Sequence, residues 1–362
     1  MPVLSVRQKE IATGLVILFV FGGLFVAGEV SIRGLQLLKF GVQKSVEKSS
    51  AFYIEDESGL RLPKPNRQLG KVRINNLGFR GPDVSLERDD NGFRIAFLGS
   101  STTYDAGVGE ASNWPARVTN LVDDSIADCE VDFVNAGLPG YNTYLMHRYY
   151  GSHVTDTKPN LVVVLPGDMN HDLDDLAGKK GISSTHFERS WFADVSVFWA
   201  KLEKNFRVIQ LQRAAHLNTG KLPVEPEEIT PRFEQRLRDL VSEIQSDGRL
   251  VALVTIGSQI RRDQSPAEQV TAANTNLFYM PYMSISKLIE IREAYNKVIE
   301  RVANETGAIL IDDADSIPGD RKHYVDTMHF SEAGSEKMAG RVSSQLLQSN
   351  QMTDVLEEAG CI

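Results

Sequence analysis

Two short strings, far apart in the chain, hold side chains that could do chemistry together. Ser101 follows an apolar run in RIAFLGSSTTYDAGV (94–108), and Asp326 and His329 sit three residues apart in VDTMHFSEAG (325–334). A serine hydroxyl becomes a nucleophile when a histidine takes its proton, and a carboxylate beside that histidine holds the useful tautomer and stabilises the imidazolium. More than two hundred residues separate the two strings, so only the fold can bring them together.

The elements needed to position such groups can be read from the apolar pattern. Short, continuous, β-branched runs at 94–98, 131–135, 161–165, 250–255 and 308–312 predict strands buried on both faces, as in a parallel sheet. Between them Phe233, Leu237, Leu240, Val241 and Ile244 recur at helical spacing ahead of Gly248. Leu288, Ile291, Tyr295, Val298 and Val302 do the same ahead of Gly307. This alternation predicts an α/β fold, a three-layer doubly wound sheet of about five parallel strands. Ligands of such sheets bind at the carboxyl ends of strands, and Ser101, Gly140 and Asn170 each follow a strand end.

Four strings occur in order: Gly99-Ser100-Ser101-Thr102-Thr103, Ala136-Gly137-Leu138-Pro139-Gly140, Pro166-Gly167-Asp168-Met169-Asn170-His171-Asp172 and Asp326-Thr327-Met328-His329. Over roughly residues 94–345 the chain resembles the SGNH (GDSL-type) hydrolases, a family of serine esterases, lipases, glycan deacetylases and some acyltransferases. The resemblance implies Ser101 as nucleophile, with Ser100 where the family usually has aspartate, and Asp326 and His329 as its partners. It implies an oxyanion hole from the N–H groups of Ser101 and a glycine, with Gly140 the better match and Gly137 the second. An asparagine amide completes that hole. Asn170 is the expected donor, one residue beyond the family spacing. Asp168 is the rival by spacing, but a carboxylate accepts hydrogen bonds and would repel an oxyanion. His171, His323 and Asp105 lie near these strings without an assigned role. A further string, INNLGFRGP (74–82), resembles a segment ahead of the catalytic domain in membrane-anchored SGNH proteins of bacterial exopolysaccharide systems.

The 362 residues carry a formal net charge of −9 and no basic block, which argues against nucleic acid as a partner. The seven histidines show no zinc spacing with the two cysteines, so neither metal nor cofactor is expected. Cys129 and Cys361 would pair only if the C-terminus folded back, and two unrelated thiols is the favoured reading. No charged residue occurs from Ile11 to Gly28, a length at the lower end for a membrane-spanning helix. An uncleaved signal anchor is expected there, despite a cleavage-like site at Val26-Ala27-Gly28, with Arg7 and Lys9 holding the tail in the cytoplasm. Arg33, Lys39, Lys44 and Lys48 on the far side blur that orientation signal.

The expected organisation is a cytoplasmic tail (1–10), a transmembrane anchor (11–30) and a juxtamembrane linker and cap (31–93), with a turn at 87–92. A hydrolase domain (94–350) follows, then a C-terminal tail (351–362). The stretches 171–230 and 257–286 are too long for simple connections. They carry aromatics (among them Phe187, Trp191, Phe192, Phe198 and Trp199) that suit either a lid over the site or packing decoration. The expected function is a serine esterase removing acyl groups, O-acetyl foremost, from a small ester or an acylated envelope saccharide outside the cytoplasm. The alternatives are an O-acyltransferase with the same triad and an inactive glycan-binding or assembly subunit. Nothing in the sequence bears on oligomeric state.

Overall fold

The computed structural model describes residues 6–40, 52–87, 92–126, 128–182, 190–215 and 222–362. Most of the expected turn at 87–92, Lys44, Lys48 and Phe187 lie outside these residues. Two small antiparallel hairpins come first, β1 (Tyr53–Glu55) with β2 (Arg61–Pro63) and β3 (Arg67–Leu69) with β4 (Val72–Ile74). The central sheet comprises β5 (Gly92–Gly99), β6 (Glu130–Gly137), β7 (Leu161–Leu165), β8 (Leu250–Val254) and β9 (Ile309–Ile311). Its order is β6-β5-β7-β8-β9 and every pairing is parallel. All five expected strands are present. Their continuous apolar runs suit burial on both faces, and every residue of β7 is buried.

Helices cover both faces. Trp114–Asp123 packs on Glu332–Leu347 in one layer, and Pro226–Ser246 packs on Thr143–Tyr149 and Ile285–Thr306 in the other. Phe233, Leu237, Leu240, Val241 and Ile244 form the buried face of Pro226–Ser246. Gly307 ends Ile285–Thr306 with φ +70°, a conformation cheap only for glycine. The winding reverses between β5 and β7, and open α/β sheets bind ligands at such a reversal, beyond the strands' carboxyl ends. Ser101 follows β5 and Asn170 follows β7, so both fall at this point.

Among the described residues, both long stretches carry helices. Met169–Lys179, Trp191–Val195 and Val197–Ala215 occupy the first, and Pro266–Ala272 and Asn274–Tyr279 the second. Ahead of the sheet, Asn75 turns the cap segment by accepting from the N–H groups of Leu77 and Phe79, each at 2.9 Å. Arg80 then reaches inward. Its backbone bridges to Asn135 on edge strand β6, and its buried guanidinium donates to the carbonyls of Tyr104 and Val108 and to Glu110. The string 74–82 is thus tied to the loop that follows Ser101.

The expectation of two unrelated thiols is overturned, since Cys129 and Cys361 are bonded. The C-terminus does fold back, because the segment expected as a tail forms the helix Asn350–Glu358, which buries Met352 and Leu356 and brings Cys361 to a fully buried position. The bridge closes a loop of 232 residues. Cys361→Ser is expected to cost about 2–5 kcal/mol, read as a lower urea midpoint than that of the unaltered protein.

The amino-terminal helix runs from Val6 to Phe40, and its stretch Ile11–Leu35, with mean hydropathy 2.4, is long and apolar enough to cross a membrane.

Candidate active site

Glycines set the position of Ser101. At Gly99, the end of β5, an added Cβ would lie 2.1 Å from Thr103 Oγ1, and at Gly167 it would lie 2.6 Å from Ser100 Cβ. Two backbones therefore close on the turn that starts the short helix Ser101–Tyr104. Ser100 is extended at its N-cap, with φ −96° and ψ −151°. The first N–H groups of a helix have no partner within it, and that of Ser101 is one of them.

His329 comes from the loop before Glu332–Leu347. Tyr324 bridges Phe330 and the Val325 N–H donates to the His329 carbonyl at 2.9 Å, which makes a tight turn around Asp326. Ser331 caps the next helix by accepting from the Gly334 N–H at 3.1 Å. The Asp326 carboxylate accepts from the N–H groups of Met328 and His329, both at 3.0 Å, and lies 2.9 Å from His329 Nδ1 through either oxygen. On the other side of the ring, His329 Nε2 lies 2.8 Å from Ser101 Oγ. Burial pulls the imidazole toward neutrality, but the hydrogen bond and charge of Asp326, with the charge of Asp105, outweigh it and hold His329 above the ordinary histidine value. Burial likewise pushes Asp326 up, and His329 and the two N–H groups bring it below the usual carboxylate range. A hydroxyl so placed can pass its proton to the ring as it attacks a carbonyl.

The serine and histidine open into a cleft lined by Gly140, Gly167, Asn170, Ile256, Met328 and Phe330, among others. About 140 Å³ of it is open to the centre of a water molecule. Gly140 has φ +85° and exposes its backbone to the cleft. Gly137 packs inward instead, where a Cβ would lie 2.4 Å from the Tyr104 nitrogen. Asn170, one residue into the helix Met169–Lys179, reaches the cleft, with its amide 3.9 Å from Met328 Sδ. Asp168 turns away from it. Fully buried, Asp168 accepts from the N–H (2.9 Å) and hydroxyl of Thr143 and forms an ion pair with Arg236 at 2.8 Å. Burial pushes its carboxyl up to about 6 against those partners.

His171 also lines the cleft. His323 does not, being buried with its Nδ1 2.7 Å from Asp320. Asp105, singled out in the sequence without a role, is buried behind the turn at Ser101. It accepts from Ser335 Oγ at 2.5 Å and the Trp114 N–H at 3.4 Å, and burial pushes it up to about 6. Its place four residues after Ser101, one helical turn on, is the signal that could have found it. Beneath Asn170, Asp172 accepts from Arg236 and Tyr295, both at 2.6 Å, a buried network the sequence did not disclose.

Comparison of the fold finds similar solved structures. TesA is 15% identical, with 70% of this chain and 97% of that one covered and a TM-score of 0.41. Axe2, an acetylxylan esterase from Geobacillus stearothermophilus, is 16% identical over 71% and 96%, with a TM-score of 0.43. EstA, a psychrotrophic esterase from Pseudoalteromonas sp., is 12% identical over 70% and 97%, with a TM-score of 0.40. No curated protein sequence matches the chain. Residues 97–337, two-thirds of the chain and spanning both Ser101 and His329, match the family model of the GDSL-like lipases and acylhydrolases, so the protein belongs to that family and is a serine hydrolase acting on carboxylic esters.

Proposed function

We propose that the protein is a membrane-anchored esterase that removes short acyl groups, O-acetyl foremost, from a saccharide outside the cytoplasm. The observation that carries the chemistry is the continuous line from Asp326 through His329 to Ser101, with contacts of 2.9 and 2.8 Å, at the mouth of a cleft. Ser101 attacks the ester carbonyl, His329 takes its proton, and Asp326 keeps the ring oriented. The N–H groups of Ser101 and Gly140 and the amide of Asn170 face the oxyanion. His329 then protonates the leaving alcohol, and water clears the acyl-enzyme. The His329 side chain is 39% exposed, which favours water as the acceptor over a dry transferase site.

The short-acyl reading rests on the walls of the cleft, where Gly140, Gly167, Ile256, Met328 and Phe330 line a recess at Ser101 that suits a small acyl group. The saccharide reading rests on the likeness of 74–82 to membrane-anchored exopolysaccharide proteins. The location rests on the apolar helix and on the Cys129–Cys361 bond, since disulfides persist in oxidising compartments.

The test uses the full chain in detergent with chromogenic acetyl and octanoyl esters, with and without a saccharide acceptor. The acetyl ester is expected to show a kcat/KM about tenfold or more above the octanoyl ester. Equal rates would sink the short-acyl reading, and acetylated saccharide formed in place of acetate would establish transfer. Asn170→Ala is expected to lower kcat about 10²–10³-fold with little change in KM, measured on the acetyl ester, because its amide is needed only once the oxyanion forms.

A further inference from the structure

Among the described residues, the insertion after Met169–Lys179 leaves an apolar surface exposed. On the helix Val197–Ala215, Trp199, Leu202, Phe206 and Ile209 step by three and four residues along one stripe, and they are 37, 43, 65 and 46% exposed. The preceding short helix adds Trp191 and Val195, 77 and 63% exposed. Core helices turn such stripes inward, so this one is built to meet something apolar.

The start of this surface is clamped to the amino-terminal helix. Phe25 packs against Phe192 with tilted rings and against Phe198 edge to face, with ring centroids 5.7 and 5.4 Å apart. Gly28 lets Phe198 come so close that a Cβ there would lie 2.9 Å from its ring. Glu29 accepts from Ser196 Oγ and from the N–H groups of Val197 and Phe198 at 2.8–3.1 Å, and Arg33 donates to the Val195 carbonyl at 3.4 Å. The charge-free run of that helix ends at Gly28, and the clamp sits on Phe25, Gly28, Glu29 and Arg33. That is the level at which a spanning helix leaves the hydrocarbon for the headgroups. Tryptophan is favoured at that depth, as at Trp191 and Trp199. Between positions 197 and 207 the helix carries Lys201, Lys204 and Arg207 against one acid, Glu203, which suits anionic headgroups.

We infer that Trp191–Val195 and Val197–Ala215 form a collar that lies in the interface of the bilayer crossed by the amino-terminal helix, with the Trp191, Trp199, Leu202, Phe206 and Ile209 side chains among the lipids. The occupant of the stripe is the membrane surface itself, chosen over a protein because the stripe is continuous with the span and flanked by cations. The collar gives the catalytic domain a second attachment, which fixes its height and tilt over the membrane where a single helix would leave it swinging. This inference rests on the membrane-anchor reading above.

The experiment places the full chain in vesicles of phosphatidylcholine and phosphatidylglycerol brominated at shallow acyl positions. Of the three tryptophans, Trp114 is fully buried, so up to about two-thirds of the emission, that of Trp191 and Trp199, is open to quenching. The expected result is strong quenching that disappears in the W191F/W199F double variant and weakens in F206E/I209E, while detergent-phase esterase activity is unchanged. Alkaline carbonate extraction is run in parallel. Protein that resists extraction but shows no quenching overturns the collar and leaves the anchor standing, and shielding from aqueous iodide in that case points to a protein on the stripe. Protein released by carbonate overturns the anchor and the collar with it.

Discussion

Replacing Ser101 by alanine is expected to lower kcat/KM on an acetyl ester by about 10⁴–10⁶-fold while leaving the protein folded. The size of the loss follows from the geometry. Ser101 Oγ is the only hydroxyl placed 2.8 Å from His329 Nε2 among the described contacts, so removing it leaves the base with no bound nucleophile to activate. What survives is the oxyanion site and the cleft, which by themselves give a residual advantage of about 10³–10⁴ over water. Folding is expected to be spared because Ser101 is half-buried and its side chain caps no helix; that place belongs to Ser100, whose backbone carbonyl accepts from the N–H groups of Thr103 and Tyr104. His329→Ala should cost a similar amount, and the double variant little more than either alone, because the two act as one unit. A Ser101→Ala protein with an unchanged melting curve and more than a tenth of the original turnover would sink the nucleophile assignment. Ser100, beside it in the cleft, would be the next hydroxyl to remove.

Some of this could be seen in the sequence because it depends on local pattern. Strands buried on both faces leave continuous apolar runs, and that is why β5 to β9 could be placed to within a few residues. Pro226–Ser246 and Ile285–Thr306 bury one stripe each, and the stripe has a period. What could not be seen depends on contacts across the chain. The pairing of Cys129 with Cys361 requires the last helix to return to the edge of β6, and no local signal encodes that return. The contrast between Asp168 and Asn170 is of the same kind. Asp168 falls one residue short of the family spacing from Gly167 and Asn170 one beyond it, and the side chain that turns inward to Thr143 and Arg236 is decided by a threonine 25 residues upstream and an arginine 68 downstream. The long stretch 171–230 is ambiguous in the sequence because Val197–Ala215 packs on Asn274–Tyr279 and the amino-terminal helix while leaving an apolar stripe exposed, so its period does not point to a buried face.

Asp326→Asn is expected to cost about 10³–10⁴-fold in kcat and to move the acid limb of the pH–rate profile downward. The general base works only when neutral, so activity is half-lost where His329 takes a proton in the free enzyme. In the unaltered protein that pH lies above the ordinary histidine value, because Asp326 and Asp105 favour the charged ring more than burial disfavours it. The same shift stabilises the fold while the ring is charged, below its unfolded pKa, and that contribution fades as pH rises through the folded value. Asparagine keeps the size of the side chain and removes its charge, so the imidazole loses its largest source of elevation and titrates at lower pH. Asparagine can also donate to Nδ1, which places the proton on Nε2 and leaves the ring unable to accept from Ser101, so the rate falls even where the ring is neutral. Asp105 remains in the variant. Pushed up to about 6 by burial, it is charged above that pH and still lifts His329 somewhat, so the limb should move only part of the way to that of an isolated imidazole. The kcat/KM profile of Asp326→Asn beside that of Asp105→Asn separates the two. A large loss of rate with a shifted limb marks the carboxylate that orients the ring, and a shifted limb with the rate kept marks one that acts through charge alone. An unmoved limb in Asp326→Asn would mean that the contacts of 2.9 Å at Nδ1 do not govern the basicity of His329.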